Sequence, residues 1–185
     1  MKQTKVRRMV TCAMLAAIYA AVSLALAPIS FSMVQVRISE AMTLLPVFDP
    51  VAILGVTLGC LITNLIGFMT GVNILGWLDI LFGTAATFIA AWMTWLLRNV
   101  RVKKLPVLAA IPPVLVNAVV IGLELCWLLA GEFNWSVFLI NAAGVGIGQL
   151  ISCFALGLPF VWWLEKTGLH RKIFSRSSIG SDEVR

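Results

Sequence analysis

Seven side chains in this sequence have the chemistry to bind and orient a small polar molecule: Arg37, Glu40, Asn73, Asp79, Glu124, Trp127 and Asn141. Each lies in or beside an apolar run. An ionisable group in hydrocarbon costs roughly 3 kcal/mol or more unless it is paired or faces a cavity, so polar residues placed there are the first place to look for function. Arg37 and Glu40 are three residues apart and can pair on one helical turn. Asn117 and Glu124, seven apart, share one face of a helix; Asn64 and Asn73 bracket the end of another, and Asn141 and Gln149 share the last apolar stretch. Asp79 and Glu124 have no basic residue close in sequence, which favours a functional role over a structural ion pair. Trp127 follows Glu124 by three residues and offers a ring to stack on, although Trp near a helix end also serves as an interfacial anchor. A lone Asn in such a helix equally supplies an interhelical hydrogen bond.

Other chemistries find no support. The single histidine, His170, sits beside Arg171 and Lys172 and reads as a solvated flank residue. No HExxH, phosphate loop or GxSxG occurs, so no catalytic residues are assigned. Cys12, Cys60, Cys126 and Cys153 lie within apolar runs without CxxC spacing; they read as small buried apolar residues, and neither a metal site nor a cofactor is expected. Asn134-Trp135-Ser136 matches a glycosylation sequon, a pattern short enough to arise by chance.

The elements that must hold the seven side chains are membrane helices. The chain has 185 residues, of which 61% are hydrophobic and 12% charged, too apolar for one water-soluble core. Spanning a bilayer takes about 20 apolar residues as helix, leaving room for five or six crossings and little else. Apolar zones run over residues 9–31, 41–70, 74–98, 105–131 and 135–164. The run after Lys2, Lys5, Arg7 and Arg8 is too long for an ordinary signal peptide and reads as a retained first helix. The net charge of +6 comes from clusters beside the zones: that N-terminal group, then Arg98, Arg101, Lys103 and Lys104, then Lys166, Arg171, Lys172 and Arg176. Such clusters orient helices with their basic ends in the cytoplasm, and nucleic acid is not an expected partner. With both termini inside, the crossing number is even. The second zone therefore divides at Pro46, Asp49 and Pro50 into a short helix over about residues 39–48 and a full one over about 50–69. The expected fold is an all-α integral membrane protein: a single six-helix transmembrane domain over residues 1–174, N-in and C-in, with a short second helix and a polar cytoplasmic tail over 175–185. Glu40, Asn73, Asp79, Glu124 and Asn141 then fall in the outer half of the bundle.

Ala13, Ala17 and Ala21 recur every fourth residue of the first helix. Small residues at that spacing let a second helix approach closely, either within the chain or from a separate membrane subunit. Gly144 and Gly148, next to Gly146, make a second small-residue stripe in the last helix.

The run Val34-Gln35-Val36-Arg37-Ile38-Ser39-Glu40-Ala41-Met42-Thr43-Leu44-Leu45-Pro46 resembles the signature of the QueT family, the queuosine-precursor substrate-binding subunits of energy-coupling-factor transporters. The likeness covers nearly the whole chain: the basic N-terminus, the alanine-rich first helix, the Asp49-Pro50 break and the glycine-rich helix from Gly55 to Asn64. Met42 stands where Leu is expected. The resemblance implies a capture subunit in a bacterial plasma membrane that binds its ligand at the outer face. It would dock through the alanine stripe onto a membrane-embedded energy-coupling subunit driven by two cytoplasmic ATPase subunits. It also implies a deazaguanine ligand, a pre-queuosine base or queuine, whose adjacent N–H donors suit one carboxylate and whose aminomethyl arm, where present, suits a second. The rival readings are a small intramembrane enzyme and a membrane scaffold protein.

Overall fold

A computed structural model describes residues 2–31, 35–103 and 105–174. The expected tail over 175–185, with Arg176, and the basic Lys104 lie outside the described residues. Among the described residues, five helices are long and apolar enough to cross a membrane: Lys5–Ala25, Val51–Met69, Trp77–Leu96, Val107–Ala130 and Trp135–Thr167. A shorter apolar helix, Ile38–Val47, accompanies them. The described residues contain no strand, only an isolated antiparallel bridge between Val102 and Leu105. An all-helical chain suits lipid, where each backbone group must find its partner within its own segment.

In chain order the elements are α1 (Lys2–Ala25), the single turn α2 (Ala27–Ser30), a 3-10 helix (Ile38–Val47), α3 (Val51–Met69), α4 (Trp77–Leu96) and a 3-10 turn (Val107–Ala110) leading into α5 (Ile111–Ala130). Then come α6 (Trp135–Leu150), a π-helical segment (Ile151–Gly157), α7 (Leu158–Thr167) and α8 (Leu169–Ile173). The break at Pro46, Asp49 and Pro50 is where the sequence places it. Pro50 caps α3, and the Asp49 carboxylate accepts from Val51 N–H at 2.8 Å.

The short helix differs from expectation in kind. It is a 3-10 helix ten residues long, where such runs ordinarily stop at three or four. Its rise of about 2.0 Å per residue carries it roughly 20 Å, about a third farther than an α-helix of that length. Every residue from Ser39 to Val47 is buried. A helix buried all round belongs at the centre of a bundle, and this one touches α1, α3, α4, the π segment and α7. Around it α1 packs on α3, α3 on α4, α4 on α5 and α5 on α6.

Missing side chains permit the tight crossings. A Cβ on Gly59 would lie 2.6 Å from Tyr19 Cβ, and one on Gly55 would lie 2.8 Å from Leu15 Cβ, so α1 and α3 meet nearly backbone to backbone. Gly148, on the second stripe, serves a different end: a Cβ there would collide with the main-chain carbonyl of Gln35, so this glycine seats the extended segment that leads into the 3-10 helix. On the first stripe, Ala13, Ala17 and Ala21 are exposed, whereas Leu15, Ala16, Tyr19, Ala20 and Ser23 of the same helix are buried.

The end where α1 begins is closed by paired groups. Arg8 meets Asp49 at 3.3 Å and Arg101 meets Glu165 at 2.6 Å. His170 is not the solvated flank residue expected. Its ring stacks on Phe48 with centroids 5.0 Å apart, and its Nδ1 lies 2.9 Å from the Leu164 carbonyl oxygen. The one-turn helix α8 folds back over the end of the 3-10 helix and carries the imidazole there.

Candidate functional site

Toward the opposite ends of α3, α4 and α5, polar side chains gather around the start of the 3-10 helix. Arg37 caps that helix from an extended conformation, φ −89° and ψ 96°. This changes its expected partner. An i, i+3 pair requires both residues on one helical turn, and Arg37 is not on it, so the expected Arg37–Glu40 ion pair is not made. Arg37 instead reaches Asp79 of α4, at 3.5 Å, with both side chains buried. Phe31 lies beneath the guanidinium, 5.1 Å from its carbon to the ring centroid.

Asp79 therefore has the basic partner that its sequence neighbourhood lacks. Its Oδ2 also accepts from Asn73 at 2.8 Å, while Asn73 Oδ1 accepts from Leu75 N–H at 3.1 Å and so fixes the loop before α4. Asn64 of α3 donates to the Asp79 carbonyl oxygen at 2.8 Å. Gly83, one turn along α4, leaves the room: a Cβ there would overlap the Asp79 carboxylate and come within 3.1 Å of Asn64 Nδ2.

Glu40 takes the partner that Arg37 does not: its Oε1 accepts from the Tyr19 hydroxyl of α1. Glu124 of α5 is 7% exposed and neither carboxylate oxygen has a hydrogen-bond partner. The charges of Asp79 and Arg37 act on it, which puts all three in one electrostatic neighbourhood. Asn117, one heptad earlier on the same helix, is also buried, and its amide nitrogen is unpartnered.

Two candidates sit apart from this cluster. Asn141 is buried but turns its amide back to the Val137 carbonyl at 2.7 Å within α6. Trp127 is 61% exposed and, with Leu78, Phe82, Val120, Leu123 and Glu124, lines a groove of about 450 Å³ on the bundle exterior between α4 and α5. Asn134 of the sequon caps α6, accepting from Ser136 and Val137 N–H at 3.0 and 3.2 Å.

Three members of the site escaped the sequence. Tyr19 is fully buried and tied to Glu40. Cys60 is a junction more than an apolar filler, with Thr87 at 3.3 Å, Asn64 at 3.5 Å and Arg37 at 3.7 Å from its sulfur. Gln35 is buried with its amide nitrogen unpartnered. Of these, only Tyr19 carries a readable signal: a phenol in an alanine-rich membrane helix needs somewhere to put its hydroxyl.

The cluster is rich in acceptors. Four ionisable side chains, Arg37, Glu40, Asp79 and Glu124, bring one cation against three carboxyls. Unpartnered buried acceptors are Glu40 Oε2, Asn64 Oδ1, Asp79 Oδ1 and both oxygens of Glu124, against the donors Arg37 Nε and Gln35 Nε2; Asn117 Nδ2, two turns down α5, is also unpartnered. Native interiors leave few buried polar atoms unpaired, so such a concentration makes this the candidate place for a small polar partner or ordered water. Its complement is a compact polar molecule with several N–H donors and fewer acceptors.

Residues 9–166 match the family model described as QueT transporter. The queuosine precursor transporter QueT of Lactococcus lactis subsp. cremoris is 32% identical over 91 residues, which is 48% of this chain and 50% of that protein. The match thus spans half the length of that curated relative. No solved structure matches the chain. The family match replaces the enzyme and scaffold readings: with a family model covering most of its length and, among the described residues, five helices long and apolar enough to cross a membrane, the chain belongs to the QueT transporter family and is a multi-pass membrane protein.

Proposed function

We propose that the chain is the substrate-capture subunit of an energy-coupling-factor importer in a bacterial plasma membrane, binding a queuosine precursor of the 7-deazaguanine class in the Arg37–Asp79–Glu124 cluster. The observation that carries this reading is the surplus of unpartnered buried acceptors around Arg37. A deazaguanine edge supplies an amine and a ring N–H side by side, and one carboxylate accepts both; its carbonyl suits a donor such as Arg37. Glu124 is the foremost candidate for the paired acceptor, since Asp79 already serves Arg37 and Asn73. Glu40 and Asn64 have free acceptor atoms, and three carboxyls against one guanidinium suit a ligand that brings a cation, as an aminomethyl arm does. Trp127 is assigned to the groove outside Glu124, and Asn141 to the α6 wall.

The chain is oriented with both termini in the cytoplasm. The basic residues of the first helix, of the loop around Arg101 and of α8 lie toward one end, and the 3-10 helix counts as the sixth, buried crossing. The cluster then opens outward. Ala13, Ala17 and Ala21 form the docking surface for the membrane-embedded coupling subunit, which two cytoplasmic ATPase subunits drive. Their exposure supports this, and so does the groove of about 660 Å³ beside α1 that Ala13 helps to line.

Mass spectrometry of small molecules released from the purified protein, followed by titration of the emptied protein with 7-deazaguanine bases, tests the reading. A deazaguanine released and rebound is the expected result. Release of an unrelated metabolite, with no heat on titration, would overturn it.

A further inference from the structure

Tyr19 is the chain's single tyrosine, fully buried in the alanine-rich helix α1. The close approach at Gly59 sets how deep its ring sits, and at that depth the hydroxyl donates to one oxygen of Glu40 while the other oxygen stays unpartnered. One turn farther along α1, Ser23 shares a 2.5 Å hydrogen bond with Ser39, the residue before Glu40. The inner face of α1 thus grips the second and third residues of the 3-10 helix, and the outer face of α1 carries the exposed alanines. The 3-10 backbone holds its own side of the arrangement: Thr43 Oγ1 donates to the Glu40 carbonyl at 2.6 Å, and Cys153 of the π segment approaches that carbonyl at 3.7 Å.

We infer that Tyr19 is a positioning residue: its hydroxyl aims the free oxygen of Glu40 at the ligand and makes α1 sense whether the cluster is filled. The inference rests on the cluster being the ligand site. The Tyr19 hydroxyl fixes the Glu40 carboxylate before a ligand N–H reaches Oε2, so less ordering is left for binding to bring about, and the added donor changes the electron density that the phenol meets. Anything that shifts α1 from outside changes the same hydrogen bond, and equilibrium coupling between two sites is reciprocal. A phenylalanine keeps the ring packing at Gly59 and removes only the hydroxyl.

The experiment uses the full-length protein in lipid nanodiscs with ring-13C tyrosine, so that isotope-edited infrared difference bands report Tyr19 alone. Adding a 7-deazaguanine base should shift the phenolic C–O band of the wild type and leave it unmoved in Glu40→Gln. In titration, Tyr19→Phe should weaken binding about tenfold, as loss of a charge-assisted hydrogen bond does. In a Glu40→Gln background the same change should cost less than about twofold, because its route to the ligand has gone. Binding by the wild type without a tyrosine band shift, or equal losses from Tyr19→Phe in both backgrounds, would overturn the inference and leave the site assignment standing. Absence of wild-type binding would overturn both.

Discussion

Where α1 begins and α8 ends, Arg8 meets Asp49, Arg101 meets Glu165, Arg98 lies 4.3 Å over the Trp95 ring, and Phe48 stacks on both His170 and Phe174. Near the far ends of α3, α4 and α5 the charges are more deeply buried, yet Glu124 has no partner and Asp79, Asn64, Glu40 and Arg37 each keep an atom unsatisfied. Burial makes an unpaired polar atom more costly, so packing alone would give the reverse distribution. The difference separates two kinds of polar chemistry in one bundle. Pairing at the basic end locks the helices together. On the proposed reading, incomplete pairing at the other end preserves hydrogen-bonding capacity for a ligand, since real proteins break the rule of satisfied polar groups mainly at functional sites.

The comparison breaks most readily at Arg37. Asp79→Leu leaves a buried guanidinium without its carboxylate, a loss of about 3 to 5 kcal/mol for a buried pair opened on one side. Arg8→Ala opens a pair whose arginine side chain is 48% exposed and should cost below about 1 kcal/mol. Thermal melting of the two purified variants measures both. Equal losses would mean that the two ends are not built differently.

Glu124→Gln comes next and separates binding from stability. It keeps the volume and replaces an acceptor-only group by one that presents donors. Affinity for a deazaguanine should fall by about 2 to 3 kcal/mol, roughly 30- to 150-fold, while the melting temperature holds or rises because no native partner is lost. A fall in both would make Glu124 a structural group. Ala17→Leu acts elsewhere: it should abolish uptake in cells by blocking close approach to a coupling subunit, with ligand affinity changing less than about twofold. Loss of affinity as well would place the stripe inside the chain's own packing.

These expectations depend on features the sequence reveals unevenly. The Pro46–Asp49–Pro50 break and the long apolar zones are local signals, and the helices start and stop close to them. That Asn117 and Glu124 both face inward follows from their seven-residue spacing. Long-range geometry was not legible. The Arg37–Asp79 pair joins residues far apart in the chain, and the rule that pairs Arg37 with Glu40 assumes a helical Arg37, whereas its backbone is extended. No composition signal announces a ten-residue 3-10 helix; it takes that form as a thin rod surrounded by neighbours on every side. His170 looked solvated because its neighbours are basic, but the turn of α8 separates the imidazole from Arg171 and Lys172, which stay exposed.

The smallest expected effect tests whether the paired end communicates with the site at all. Arg101 and Glu165 approach at 2.6 Å with side chains 33% and 25% exposed, next to the pocket of Phe48, His170 and Phe174 at the foot of the 3-10 helix. A pair with that much access to water contributes about 0.5 kcal/mol, because solvent screens the attraction and two long side chains lose freedom to make it. Arg101→Ala should therefore lower the melting temperature by only a degree or two and leave deazaguanine affinity within twofold. The same 3-10 helix runs from this end to Glu40, about 14 Å from its foot by its rise, and a rigid rod can carry strain. Two adjoining readouts decide: a small stability change with unchanged affinity keeps the ends independent, whereas a tenfold loss of affinity from so weak a pair would show that the 3-10 helix transmits the state of the basic end to the ligand cluster.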